Sequence, residues 1–434
     1  MPRPCLPLLG CAALACGSPA DVANGATTTD PGTTGEPTTA ADAPAVTYSE
    51  HVAPILARHC VACHQAGSIA PLELDDHAEA AAFSGPIAAA AAARTMPPFA
   101  ADNGGACGVF RDARWLTDDE IATLAAWHEL GAPVGPELPA PAPAPLPELD
   151  GELLTVAMAA AYTPNAAEPD DYRCFVVPGA PLDGPELFVT GFAVRPGDAR
   201  VVHHVIVYAP KSDGAVAQVQ ALDDAEAGPG YTCFGTAQVP AAVTAAWAPG
   251  GGATRYPEGT GIRLKPGAPL VLQLHYNTLV GGDLADRTEV DLEVVHGGVR
   301  PARFVGLVDL LLELPPGEAE ARAGVDVALG EAGKVTAPVD LLGLFPHMHT
   351  LGRTLELSRS GPSGAGCLVD VPRWDFHWQR LYFYDEPVRL DPADLLALRC
   401  TYDTRGRDEV TRWGEGTQDE MCVAGLLVVD PAAP

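Results

Sequence analysis

The chain has 434 residues and a formal net charge of −30, from 26 basic and 56 acidic residues. This balance excludes nucleic acid as the main partner and disfavours an anionic membrane surface, because proteins that bind either one present basic patches. A length of 434 residues predicts two to four domains, and the 47% of hydrophobic residues can supply sizeable cores. We interpret the acidity as a means of solubility outside the cytoplasm.

Residues 1–16 resemble a short export signal. The stretch MPRPCLPLLGCAALAC has one Arg, an apolar run and small residues before a cysteine. Cys16 is the preferred site of lipid modification, with Cys11 or simple cleavage of the signal as alternatives. Residues 17–45 are rich in Thr, Gly and Pro, which predicts a disordered tether. We therefore expect an exported bacterial protein, either periplasmic or attached to the outer membrane as a lipoprotein.

The next segment contains a motif for covalent haem attachment. Cys60, Cys63 and His64 form a C-x-x-C-H pattern. Two thiols one helical turn apart add to the haem vinyl groups, and the histidine that follows coordinates the iron. Met96, before a Pro-Pro pair, resembles the second axial ligand of cytochrome c domains, with core packing as the alternative. The expected cofactor is haem c.

Two predicted helices frame this motif. YSEHVAPILARHC precedes it, and LTDDEIATLAAWHELGAP has Thr117 as an N-cap, an acidic first turn and Gly131 as a stop. Residues 46–133 are therefore predicted to form a small all-α cytochrome c-like domain. Alternating Pro and Ala in residues 134–150 predict an extended, semi-rigid linker to the next domain.

From residue 151 onward the chain is predicted to be mainly β. Apolar, β-branched runs are separated by Pro-Gly turns at the spacing of β-sandwiches. The runs are PELFVTGFAV, VVHHVIVYAP, PLVLQLHYNT, TEVDLEVV, DLLGLFPHMH, TLELSRS and AGLLVVD. The expected fold class is thus multidomain, with a small all-α domain followed by mainly β sandwiches.

Five histidines fall inside these predicted strands. They are His203, His204, His275, His347 and His349. The H-x-H pair would share one face of a strand, whereas the adjacent H-H pair would point to opposite faces. A lone strand histidine is more often a core residue than a ligand. The late segment WGEGTQDEMC adds Met421, and imidazoles with a thioether suit copper cycling between two oxidation states better than zinc.

These motifs together resemble the copper type II, ascorbate-dependent monooxygenases, the family of peptidylglycine α-hydroxylating monooxygenase and dopamine β-monooxygenase. DDYRCF, VVHHVIVY, LQLHYN, PHMHTLGR, LALRC and GEGTQDEMC occur in the family's order over roughly residues 160–430. The resemblance implies that one copper, which transfers electrons, is bound by His203, His204 and His275. It implies that the other copper, where oxygen is activated and the substrate hydroxylated, is bound by the catalytic residues His347, His349 and Met421.

The resemblance also implies an architecture. Two jelly-roll-like sandwiches, residues 151–300 and 301–434, would lie side by side with the coppers facing each other across a solvent-filled cleft. Both adjacent histidines can then bind if their strand is locally twisted and the ring nitrogen nearer the backbone is used. The resemblance also implies a disulfide between Cys400 and Cys422, which match a disulfide of the family. A Cys174–Cys233 bridge is also expected, whereas Cys107 and Cys367 have no assigned partners.

Two positions depart from the peptide-hydroxylating members. Phe345 and Gly425 stand where those enzymes have an Arg and a Tyr that bind the peptide carboxylate. An apolar or small neutral substrate is therefore expected.

The resulting hypothesis is an exported copper monooxygenase that hydroxylates a C–H bond of a small organic substrate with O2. A tethered c-type haem would supply its electrons, delivering them to the His203 copper from a periplasmic redox protein or an ascorbate-like reductant. The alternatives are a copper-binding or copper-sensing lipoprotein without catalysis, and a protein in which only the haem relays electrons.

Overall fold

The computed structural model describes residues 46–66, 72–144, 147–167, 170–180, 186–247, 252–278, 283–376, 378–414 and 419–431. The expected export signal and tether, with Cys11 and Cys16, lie outside these residues. Residues 46–434 form one compact unit. Within the described ranges, no helix is both long and apolar enough to span a bilayer.

Most helices precede residue 130. A π-helix (Tyr48–Val52) runs into α1, and the α-helices are α1 (Ala53–His59), α2 (His77–Ala82), α3 (Ser84–Ala92), α4 (Asp118–Glu129), α5 (Asp213–Ala225) and α6 (Leu329–Gly333). The α4 boundaries agree with the sequence-based prediction. Thr117 and Glu120 form a capping box, and Gly131 ends the helix with a φ of +79°, which glycine adopts at low cost.

Strands dominate after residue 150. They are β1 (Glu152–Ala157), β2 (Asp170–Val177), β3 (Leu187–Arg195), β4 (Val202–Pro210), β5 (Tyr231–Thr232), β6 (Ala241–Trp247), β7 (Thr254–Arg255), β8 (Thr260–Leu264), β9 (Leu270–Asn277), β10 (Glu289–Val295), β11 (Arg300–Val308), β12 (Glu313–Leu314), β13 (Ala321–Ala328), β14 (Val339–His347), β15 (Gly352–Ser360), β16 (Gly366–Val371), β17 (Tyr382–Leu390), β18 (Leu395–Tyr402), β19 (Thr411–Arg412) and β20 (Val423–Val429). All seven runs predicted from the sequence are strands, so the mainly β prediction is confirmed.

One long sheet runs through both halves of this region. Its order is β1-β10-β3-β8-β11-β20-β14-β17, with β7 also paired to β3. The halves join where β8 and β11 pair in parallel, Ala302 opposite Ile262. A second sheet, β5-β2-β9-β4-β6, covers the first half, and β13-β18-β15-β16 covers the second. Two sandwiches therefore share a continuous sheet, which fixes their relative position.

The helical segment is attached to the second sandwich. A disulfide joins Cys107 to Cys367 in β16, which sequence analysis had left unassigned. Phe99 and Phe110 are buried in the core of that sandwich and contact Tyr382. The bridge and these contacts fix the loop that carries Phe99, Cys107 and Phe110 to the second sandwich, whereas the helices pack around a core of their own that contains Leu56, Leu124 and Trp127. The proposed domain boundaries themselves stay predictions.

Candidate metal centres and the cavity between them

The first candidate centre is formed by His203, His204 and His275. Their ligand nitrogens all lie within 4.8 Å of one another. Nδ1 of His275 is 3.1 Å from Nδ1 of His203 and 3.3 Å from Nδ1 of His204. Three imidazole nitrogens that converge through their Nδ1 atoms form a geometry that fits one metal ion.

A β-bulge allows the adjacent histidines to converge. Strand β4 pairs with β9 in a register that shifts between Val202 and His204, so that His204 lies opposite His275 and His203 is the extra residue. A bulge breaks the strict alternation of side chains and turns the extra residue toward its neighbour's face. This is the local distortion that the adjacent pair required.

Strand β2 orients His275. Asp170, the first residue of β2, places Oδ1 2.8 Å from Nε2 of His275. A carboxylate only accepts hydrogen bonds, so Nε2 carries the proton and Nδ1 offers its lone pair to the other imidazoles. The Tyr172 ring stacks on His275, with centroids 4.2 Å apart and planes 4° from parallel. The fully buried His275 therefore has one orientation and one tautomer.

The second candidate centre contains His347, His349 and Met421. His347 is the last residue of β14, and its ring centroid is 5.1 Å from that of His349. Met348 between them is buried in the core of the second sandwich. Met421 is buried just before β20, which pairs with β14. All three ligand candidates line one cavity.

In this second centre Nε2, rather than Nδ1, is the imidazole nitrogen available to a metal, because Nδ1 of each ring is engaged in a hydrogen bond. His347 Nδ1 is 2.6 Å from Oε1 of Gln379, whose amide nitrogen donates to the Phe376 carbonyl, so the imidazole is the donor. His349 Nδ1 donates to the Asp419 carbonyl at 3.1 Å. Nε2 of His349 is buried and has no hydrogen-bond partner in the part of the chain that the structure describes. An orphaned buried acceptor next to a second imidazole and a thioether fits a copper ion.

Burial keeps these two imidazoles neutral. It lowers the pKa of His347 to about 3, with a further contribution from His349, and burial likewise lowers the pKa of His349. Metal binding requires neutral imidazole, so the pair is ready to bind without losing protons.

Glu420 and a disulfide hold this centre together. The Glu420 carboxylate accepts from the backbone N–H groups of His349, Leu351 and Met421 at 2.9, 2.6 and 3.2 Å. The predicted Cys400–Cys422 disulfide is confirmed and lies beside Met421, and Cys174–Cys233 is confirmed as well. The ligand-bearing segments around residues 349 and 421 are therefore tied to each other directly.

The two centres share a largely apolar cavity of about 730 Å³ that is partly open to solvent. His204 of the first centre and His347, His349 and Met421 of the second all line it. None of the described residues that line it is charged. Phe376 stands between the centres, with its ring 6.1 Å from that of His275 and 6.3 Å from that of His349. The cavity is within the size range of small-molecule sites.

The C-x-x-C-H residues follow α1. The backbone N–H groups of Cys63 and His64 both donate to the Cys60 carbonyl at 3.0 Å, one turn after it. Neither cysteine is in a disulfide, and Nδ1 of His64 is buried without a hydrogen-bond partner within the described residues. These features fit covalent attachment of a haem. Met96 is 38% exposed and lines a small pocket with Arg114, whose guanidinium donates to Sγ of Cys63. The role of Met96 as a haem ligand stays a prediction.

Sequence reasoning missed the residues that orient the ligands. Asp170 lies within a quoted motif, but its role depends on contact with a residue 105 positions away. Gln379 and Phe376 lie in a loop with no pattern of their own. Glu420 directly precedes Met421. An acidic residue next to a predicted buried ligand is the signal that could have identified it, because a carboxylate there needs hydrogen-bond partners.

The C-terminal part of the chain matches a known family. Residues 322–428 match the model described as copper type II ascorbate-dependent monooxygenase, C-terminal domain. This range contains His347, His349, Met421 and the Cys400–Cys422 bridge. The proteins of that family are ascorbate-dependent copper enzymes that use O2.

Individual relatives match longer stretches of the chain than the family model does. DBH-like monooxygenase protein 1 of Homo sapiens is 28% identical over 260 residues, which cover 54% of this chain and 40% of that protein. Tyramine beta-hydroxylase of Caenorhabditis briggsae is 27% identical, covering 53% and 40%. Peptidylglycine alpha-amidating monooxygenase of Rattus norvegicus is 26% identical, covering 59% and 25%. The matched region thus spans two fifths or less of each relative.

Among solved structures, the major capsid protein P2 from bacteriophage PM2 matches with a TM-score of 0.25 and 9% identity, over 65% of this chain and 100% of that one. A TM-score this low supports no conclusion about fold or function.

Proposed function

We propose that this protein is a copper-dependent monooxygenase that catalyses RH + O2 + 2e⁻ + 2H⁺ → ROH + H2O on a small organic substrate. The observation that carries the proposal is the pair of ligand clusters that both contribute side chains to the lining of one apolar cavity. Copper bound at the two clusters would supply one-electron redox chemistry and activation of O2. The similarity to the copper type II enzymes supports the same reaction type.

The chain's own residues suit this chemistry. Asp170 holds the proton on Nε2 of His275, and Gln379 holds the proton on Nδ1 of His347. In each ring the other nitrogen is then available to the metal. Apolar walls exclude water, which protects a strongly oxidising centre from side reactions. Phe376 contacts a ligand ring of each set, where it shortens the gap that an electron crosses between the two centres.

The cavity favours an uncharged, largely apolar substrate. Phe345 and Gly425 are opposite each other on β14 and β20 and both line the cavity. With no charged side chain among the described lining residues, a substrate carboxylate or ammonium would be desolvated without an ion pair, at a cost of several kcal/mol. A peptide with a free C-terminal carboxylate, the substrate of peptide amidation, is therefore disfavoured relative to a neutral substrate.

We further propose that a c-type haem attached at Cys60 and Cys63, with His64 as a ligand, supplies electrons. Gln379, which contacts His347, also lines the cavity that contains Cys63. This placement favours delivery to the His347 centre, whereas the sequence-based hypothesis delivers the electrons to the His203 centre. Trp247, opposite Val205 on the neighbouring strand, lines the same cavity and offers a route to that centre. The reductant that feeds the haem would be a redox protein or an ascorbate-like molecule.

We also propose that the protein is exported. Three disulfides are consistent with an oxidising compartment such as the periplasm. A membrane-attached lipoprotein form belongs to the same proposal, and mass spectrometry of the mature N-terminus tests both.

The enzymatic proposal is tested with ¹⁸O2 and a panel of neutral apolar substrates. Copper-loaded protein and a reductant should yield a product with one labelled oxygen. Met421→Ile keeps the side-chain volume but removes the sulfur, so turnover should fall at least about tenfold. Met348→Ile, in the core beside the histidines, is the matched control and should retain turnover. Copper uptake without any labelled product would instead support a binding protein.

A further inference from the structure

A second cavity lies beside the C-x-x-C-H motif and is surrounded by arginines. Its volume is about 140 Å³, and it is lined by the helical segment, the first sandwich and the loop before β17. Its four arginines are Arg111, Arg114, Arg255 and Arg380, and Cys63 lines the same cavity. The chain has only 26 basic residues among 434, so this concentration of cations is not a consequence of composition.

Three of these guanidinium groups each have one nitrogen without an acceptor, although Arg111 and Arg255 donate from other nitrogens to the Arg255 carbonyl and to Asp150 and Glu293. The Nε atoms of Arg111, Arg255 and Arg380 are all buried and have no hydrogen-bond partner within the described ranges. A buried donor without an acceptor costs about 1–3 kcal/mol, more when it is charged. Three such donors around one cavity indicate a missing acceptor rather than three independent defects.

Charge compensation around the cavity is incomplete. Arg255 pairs with Asp150 and Glu293, and Arg111 lies 3.8 Å from Asp112. In contrast, no ion pair involves Arg114 or Arg380 in the described part of the chain. Arg114 donates to Sγ of Cys63 at 3.4 Å. Burial lowers the pKa of Arg380 and the charge of Arg114 lowers it further, whereas Tyr382 and Asp112 act in the opposite direction.

We propose that this cavity, named here the arginine cavity, binds carboxylate groups, and that its ligands are the two propionates of a haem attached at Cys60 and Cys63. Guanidinium groups bind carboxylates through paired hydrogen bonds, which would satisfy the orphaned donors. A volume of about 140 Å³ suits carboxylates and is smaller than sites that enclose a whole cofactor. The identity of the ligand rests on the proposed function, whereas the preference for carboxylate does not.

The same chemistry could come from a free organic anion such as an ascorbate-like reductant. Oxalate, a redox-inert dicarboxylate, distinguishes the two sources by calorimetry. The full chain with Cys60→Ala and Cys63→Ala, which cannot attach haem, should bind oxalate, and Arg380→Gln in that background should abolish the binding. Haem-loaded wild type should not bind oxalate. Equal binding by both forms would assign the cavity to a free anion, and binding by neither would overturn the proposal.

The haem-loaded protein gives an independent measurement. Arg380→Gln and Arg114→Gln should each lower the haem reduction potential, because loss of a nearby positive charge stabilises the oxidised iron. Arg380→Lys should stay closer to wild type, and Arg322→Gln, on exposed β13, should not change it. Unchanged potentials in fully haem-loaded variants would overturn the assignment to propionates. Absence of covalent haem in wild type would instead refute the haem proposal and leave the oxalate test valid.

Discussion

The carboxylate of Asp170 decides which nitrogen of His275 faces the other two imidazoles. Asp170→Ala removes the acceptor 2.8 Å from Nε2, so both tautomers become available and copper affinity at the three-histidine centre should fall about 10–100-fold. Asp170→Asn retains an acceptor and should lose less. Competition titration with a copper chelator measures the change. Asp213→Ala, on the surface beside Lys265, is the control, and an equal loss there would refute the positioning role.

A second residue-scale prediction concerns His347 in the metal-free protein. Its pKa in the folded state, about 3, is below the ordinary value of 6.5, so its contribution to stability is present above pH 6.5 and is lost as the pH falls toward 3. After allowance for its partial access to the cavity, the loss between pH 6.5 and 5 should be about 1 kcal/mol. Urea unfolding of apoprotein at the two pH values measures it. His347→Asn should show a smaller loss, and an identical loss would contradict this assignment.

At the scale of elements, sequence pattern predicted which segments are strands but not how they pair. β-Branched runs between Pro-Gly turns identified β4, β9 and β14, together with the histidines they carry. The bulge at His203 depends on the register between β4 and β9, and register is set by contacts about 70 residues apart. Helix α5 was missed because the region was interpreted as uniformly β, although Ser212 caps that helix.

The Cys107–Cys367 bridge is the element-scale feature that most constrains the helical segment. Its sequence separation of 260 residues predicts a large entropic contribution, about 3–5 kcal/mol. Cys107→Ser with Cys367→Ser should therefore expose the loop around residue 107 to limited proteolysis before the sandwiches unfold. Hydrogen exchange should rise in the same loop. The Cys174–Cys233 pair, removed in the same way, should leave that loop protected. Equal protection in both variants would mean that core packing alone holds the segment.

At the scale of the whole molecule, the continuous sheet explains why two distant ligand sets face one cavity. The parallel pairing of β8 with β11 joins the sandwiches edge to edge, and the covering sheet of the first sandwich carries His204 while the shared sheet carries His347. The sequence could predict the ligand types and their order. It could not predict the shared sheet, which arises from pairing between the two sandwiches, or the arginine cavity, which is lined by three parts of the chain.

This arrangement predicts two copper ions per chain, each bound independently. Elemental analysis at saturation should give one copper in His203→Ala and one in His347→Ala, because each change breaks one ligand set and leaves the other intact. His296→Ala, an exposed histidine paired with Glu152, should keep both. Fewer than about 1.5 coppers in wild type would refute the two-centre model. If either variant lost both coppers, the centres would instead be coupled in binding, and the aromatic contacts of Phe376 with His275 and His349 would be the connection to test next.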